Sequence, residues 1–143
     1  MILLDTDVVS ELMRPAPPGE VLGWFGRQVA GELHLGTMSE AELRRGVAVL
    51  PEGRRRDALA AAIDAMIAED FADRVLPFDS AAAVAFASVF AERRAAGRPI
   101  GFSDCQIAAI ARAWGAAVAT RNVGDFAGCG IDGIDPWDEG RAA

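Results

Sequence analysis

Four carboxylates fall at the borders of apolar segments in distant parts of the chain. Asp5 follows Ile2-Leu3-Leu4 directly, Glu42 precedes Leu43 and Val47, Asp104 precedes Ile107 and Ala111, and Asp125 trails the run Ala116–Thr120. Carboxylates brought together repel, and without a counter-charge some stay protonated at pH 7. A hard divalent cation removes that conflict, and oxygen-only ligands favour Mg²⁺ or Mn²⁺ with waters completing an octahedron. Such an ion lowers the pKa of a bound water and stabilises charge on a phosphodiester, so a nucleic-acid backbone can be hydrolysed without a covalent protein intermediate. Other chemistries have little support. The single histidine, His34, sits in an apolar-alternating run and reads as an ordinary strand residue. Cys105 and Cys129 form no CxxC pair and have no partners at zinc spacing, so both read as reduced, buried thiols.

Each acid also has a plainer reading. Ser39-x-x-Glu42 and Ser103-x-x-Gln106 match the capping box, and acids in a first helical turn favour the helix dipole. Asp125 alone is an ordinary loop aspartate. Asp104 is harder to dismiss, because it shares a helix face with Ile107 and Ala111, where an unpaired carboxylate is costly. Asp5 has no capping duty if Asp7 caps the helix that follows.

The elements that must position these acids alternate in type. Residues 1–5 read as a buried strand, and a short helix follows from Asp7 to about Met13. Pro15, Pro17 and Pro18 break it, with Pro18 expected to open the next helix, to about Val29. Leu33–Thr37 is expected to be a strand, followed by a helix opening at Ser39 with Leu43, Val47 and Leu50 on one face. Leu59, Ile63, Met66 and Ile67 mark a further helix. Val75–Pro77 is a short strand, Ser80–Ala96 an alanine-rich helix stopped by Gly97 and Pro99. Ser103 is expected to open a helix with Ile107, Ile110, Ala111 and Trp114 facing inward, before a strand over Ala116–Thr120 and a last short one over Ile131–Ile134. This alternation predicts one α/β domain over residues 1–143, with a mostly parallel sheet of four to five strands covered by helices on both faces. In such sheets ligands bind beyond the carboxyl ends of the strands, where βα junctions would gather all four acids.

Bulk properties narrow the partners. The 143 residues suit one domain, and 52% are hydrophobic, an ordinary globular value. No stretch is long and apolar enough for a membrane helix, and Met1–Asp5 has no secretion-signal character, so the expected location is cytoplasmic. The net charge of −7 argues against broad nonspecific binding to nucleic acid. A local basic strip is still available from Arg44, Arg45, Arg54, Arg55, Arg56, Arg93, Arg94 and Arg98, which otherwise read as solvated helix faces.

Leu3-Leu4-Asp5-Thr6-Asp7-Val8-Val9-Ser10-Glu11 resembles the opening of PIN-domain toxins of the VapC type. So do Ala41–Val47, Ile100–Asp104 with Ile107–Ala111, and Ala119-Thr120-Arg121-Asn122 with Asp125-Phe126. Leu76-Pro77-Phe78 and Pro136-Trp137 resemble the FitB-like subgroup. The resemblance implies that Asp5, Glu42 and Asp104 are the core metal-binding acids, with Asp125 a more variable fourth beside Asn122. It implies polar support from Thr6, Ser103 and Thr120. Where the family has asparagine two residues after the first aspartate, this chain has Asp7, which adds charge near the pocket and leaves open a metal contact or a capping role. It further implies Mg²⁺-dependent RNA cleavage, a homodimer, and silencing by an antitoxin protein that supplies any DNA binding. Arg44, Arg45 and Arg121 are then the arginines expected to meet RNA.

Two rivals remain at this level. Asp5-Thr6-Asp7 also resembles the nucleophile motif of haloacid-dehalogenase-type phosphatases, although those usually hold their phospho-aspartate with a lysine and every one of the 14 basic residues here is arginine. A catalytically silent PIN-like domain that only binds a partner is the other.

Overall fold

The computed structural model describes the backbone of residues 1–141 and the side chains of residues 1–138. Five strands, β1 (Ile2–Leu4), β2 (Leu33–Gly36), β3 (Val75–Leu76), β4 (Ala117–Ala119) and β5 (Gly133–Ile134), form one sheet in the order β3-β2-β1-β4-β5. Every pairing is parallel, with Leu3 opposite His34 on one side and Val118 on the other. The helices are α1 (Thr6–Leu12), α2 (Gly19–Gly26), α3 (Thr37–Ala48), α4 (Arg54–Glu69), α5 (Ser80–Ala95), α6 (Phe102–Trp114) and α7 (Pro136–Arg141). Among the described residues no helix is long and apolar enough to cross a membrane.

The central strand is apolar throughout because both of its faces are covered. Leu3 points into a core shared with Val89 of α5 and Ile107, Ile110 and Ala111 of α6. Leu4 points the opposite way, into a core with Val8 and Val9 of α1, Trp24 of α2, Leu43 of α3 and Ile63 of α4. Both leucines have no exposed surface, and burial of each contributes about 1.5–3 kcal/mol. Helix α6 is buried nearly all round, with Cys105 and the whole run Ile107–Ala111 inaccessible, as befits a helix laid across the middle of a sheet.

Several expected boundaries move. Helix α1 is capped by Asp5, whose carboxylate accepts from Thr6 N, so Asp7 lies inside the first turn and is not the cap. Pro18 precedes α2, which ends at Gly26, before a 3₁₀ turn over Ala30–Glu32. Helix α3 starts at Thr37 after an extended Gly36, so the Ser39 capping box does not form and Glu42 lies in the second turn. The start is set by tertiary contacts: a Cβ on Gly36 would lie 3.4 Å from Ile110 Cδ1, and Thr37 Oγ1 accepts from Phe78 N. Ser39 Oγ is left buried with no hydrogen-bond partner among the described residues. Helix α6 starts at Phe102 behind Gly101, so Ser103 is no cap either. Trp114 is half exposed, not inward, because the chain reverses one residue later at Gly115, which takes a left-handed φ of 66°. His34 is a buried strand residue beside Glu32 O, and both cysteines are free and buried.

Candidate active site

The strand order dictates where a site can form. From β1 the chain crosses to β2 on one side, while β4 pairs on the other, so the helices that follow β1 and β4 leave a crevice at their carboxyl ends. Asp5 and Thr120 are the residues immediately after those two strands. Asp5 N continues the ladder to Ala119 O at 2.9 Å, and Thr120 N does so to Ile134 O at 2.8 Å. Their side chains are therefore rigidly placed, and Thr120 Oγ1 donates to Asp5 Oδ2 at 2.9 Å while Thr6 N donates to Asp5 Oδ1 at 2.8 Å. Thr6 Oγ1 donates to Glu42 Oε1 at 3.1 Å, tying α1 to α3. Asn122 N donates to Thr120 Oγ1, extending the network into the next loop.

The carboxylates lie within electrostatic reach of one another. The Asp104 carboxyl, in the first turn of α6, is pushed above the ordinary range by burial and then by the negative charges of Asp5, Asp125 and Glu42. Asp5 is only 8% exposed. Burial first, then the Asp7 charge, raise its pKa to about 6, with a smaller push from Glu42 and opposition from the Thr120 and Thr6 hydrogen bonds. Asp125 lies exposed on the 3₁₀ turn Val123–Phe126. Asp7 accepts from Arg121 N and Asn122 Nδ2 on one oxygen, while its other oxygen is buried with no hydrogen-bond partner among the described residues. Burial raises the Asp7 pKa as well. Ser103 is half buried and makes no side-chain hydrogen bond among the described residues.

These residues fit a hard cation. The donors are all oxygens, their charges repel one another, and one buried Asp7 oxygen has no hydrogen-bond partner among the described residues. Among the described residues no three His, Cys, Asp or Glu side chains close into a ready cage. An ion that keeps several waters, as Mg²⁺ does, requires only one or two direct carboxylates.

The arginines divide by environment. Arg44 is held by Glu40 and Asp64, both at 2.8 Å, so its charge is largely matched. Arg45 is exposed, and the Arg121 guanidinium stacks 4.8 Å from the Trp137 ring. Arg93, read above as a surface residue, is 6% exposed and lies behind Asp125. Its burial had a signal: Ala82, Val89 and Arg93 fall on one helix face, at spacings of seven and four.

The fold is a parallel α/β sheet with acidic residues gathered around its switch point. The chain belongs to the PIN-domain family, whose model matches residues 2–127. Over 138 residues it is 44% identical to Plasmid stability protein StbB of Pseudomonas syringae pv. tomato, covering 96% of this chain and 99% of that one. It is 41% identical to VapC ribonuclease Y4jK of Sinorhizobium fredii, with the same coverage. In the FitAcB crystal structure from Neisseria gonorrhoeae a chain 36% identical superposes with a TM-score of 0.90, covering 96% of this chain and 99% of its own. The family match removes the phosphatase reading of Asp5.

Proposed function

We propose that this PIN domain is a metal-dependent endoribonuclease and the toxin of a toxin–antitoxin pair. The observation that carries the chemistry is the convergence of Asp5, Glu42, Asp104 and Asp125 at the switch point of a parallel sheet. The names of the relatives carry the biological role.

When bound by these acids, Mg²⁺ or Mn²⁺ supplies a water of lowered pKa and a positive charge for the phosphodiester. The chain's own residues do the rest. Asp5, tethered at both oxygens, is the rigid ligand, and Thr6 orients Glu42 beside it. Asp104 faces them from α6, and Asp125 stands at the solvent side. A cleft of about 380 Å³ leads away past Thr6 and Glu42, with Leu43 and Val47 on its wall and Arg14 and Arg55 at hand. It offers apolar surface to a base and guanidinium groups to a phosphate. Arg45 and Arg121 are further candidates to meet RNA, with Arg44 a weaker one because its charge is matched.

A second groove of about 620 Å³, lined by Val9, Leu12, Leu22, Phe25, Met66 and Phe71, suits an apolar segment of an antitoxin protein. On this reading DNA is met only through the antitoxin, the protein acts in the cytoplasm, and two copies form a homodimer. Purified protein incubated with single-stranded RNA and Mg²⁺ or Mn²⁺ should cut it, EDTA should stop the cut, and Asp5→Asn or Asp104→Asn should abolish it. Intact RNA under all these conditions, with no growth arrest on expression, would establish the silent partner-binding alternative instead.

A further inference from the structure

Arg93 occupies an unusual place for an arginine. It projects from the last turn of α5 and is almost fully buried. No carboxylate hydrogen-bonds to it. Nη1 donates to Asp125 O at 2.7 Å and to Ala127 O at 2.9 Å, and lies 3.5 Å from Cys129 Sγ. Nε donates to Arg98 O at 2.6 Å, in the turn that leads into α6. The neighbouring Arg98 adds a long bond from Nη2 to Gly124 O. Gly128, at a left-handed φ of 75°, folds the chain around the Arg93 stem, where a Cβ would sit 3.6 Å from Arg93 Cδ.

A buried cation with only carbonyl partners is costly compared with an apolar side chain of the same volume. Two facts offset that cost here. The guanidinium satisfies three backbone carbonyls, two in the Val123–Cys129 turn and one at Arg98. Its charge also lies within reach of the acid cluster, where it pulls the Asp104 carboxyl down against the push of its acidic neighbours. The turn so held is the one that carries Asp125, which itself makes no side-chain hydrogen bond among the described residues.

We infer that Arg93 is a positioning residue for the metal site: its guanidinium ties the Val123–Cys129 turn to the end of α5 and to Arg98 in the α5–α6 connection, and so fixes where Asp125 presents its carboxylate. This inference rests on the metal-dependent reading above. Arg93 touches neither substrate nor ion; it acts through Asp125.

The test is a Mn²⁺ titration followed by calorimetry, on wild type, R93M, R93K, D125N and the R93M/D125N double variant, each first checked for a cooperative thermal melt. Wild type should bind Mn²⁺, and R93M should bind about tenfold more weakly, the usual cost of removing a group that orients a metal ligand. R93K keeps the charge but loses the fork, so it should fall between the two, with faster amide exchange over residues 123–129. In the D125N background R93M should add no further loss, because its effect passes through Asp125. RNA cleavage should lose kcat with KM little changed. Independent, additive losses from R93M and D125N, or wild-type Mn²⁺ affinity in both Arg93 variants, would overturn the inference while leaving the nuclease reading intact. Absence of Mn²⁺ binding to wild type would instead remove the metal reading, and the role of Arg93 with it. If R93M does not fold, the same cycle run with R93K decides.

Discussion

The two halves of the acid cluster are built by different means. On the β1 side, the Thr6 and Thr120 hydroxyls hold the Glu42 and Asp5 carboxylates, and Thr6 N adds a backbone donor to Asp5. On the α6 side, Asp104 and Asp125 have no such links, and their places are set through backbone, by the start of a buried helix and by a turn gripped at its carbonyls. The first half tolerates a buried charge because its hydrogen bonds oppose the desolvation. The second half is less buried, with Asp125 exposed on its turn. One side is held through its side chains and the other through its backbone.

That contrast can be broken most forcefully at Asp5. Removing a metal-held carboxylate forfeits several kcal/mol of transition-state stabilisation, so D5N and D104N should each lower kcat on RNA by about 10³-fold or more. D5N should also stabilise the metal-free protein, by about 1–3 kcal/mol at pH 7 in urea melts. The reason lies in its pKa of about 6 against 3.8 for the unfolded chain. Between those values the folded state holds the extra proton. Metal-free stability is thus highest at the acid end of the window and declines as pH rises through about 6, by as much as about 3 kcal/mol for this one group. D5N should flatten that decline, and saturating Mg²⁺ should also oppose it.

Thr120→Val sharpens the comparison with a smaller change. It leaves Asp5 Oδ2 buried without a donor, costing about 1–3 kcal/mol, and moves the Asp5 pKa above its present value. The acid limb of the pH–rate profile should shift upward with it, whereas Asp125→Asn should leave that limb nearly in place. Glu42→Gln should lose most activity with stability within about 0.5 kcal/mol of wild type, because Glu42 caps no helix. Arg44→Ala should do least, under about 1 kcal/mol in chemical denaturation and a small change in cleavage rate, since its partners Glu40 and Asp64 are exposed or partly so.

Much of this was open to reading in one dimension. Acids abutting apolar runs must either be exposed at element ends or be held by partners, so Asp5 and Asp104 announce themselves by local chemistry. Alternating strand and helix patterns are likewise local, because each buries a face of its own period. Helix starts were less legible. Ser39-x-x-Glu42 satisfies the capping pattern in letters, yet Gly36 packs against Ile110 and Leu3 and Thr37 serves Phe78, so α3 begins two residues earlier. Trp114 continues the stripe of α6 by count, but the chain turns away at Gly115 before a core can receive it.

The types and borders of the acids, the α/β alternation and the oxygen-only chemistry are properties of neighbouring residues, and they can be argued from the chain alone. The order β3-β2-β1-β4-β5, the meeting of Thr120 with Asp5 across 115 positions, and the burial of Arg93 behind Asp125 belong to the folded molecule. They arise from pairings between distant segments, whose energies depend on which surfaces meet and not on the residues beside them in the chain.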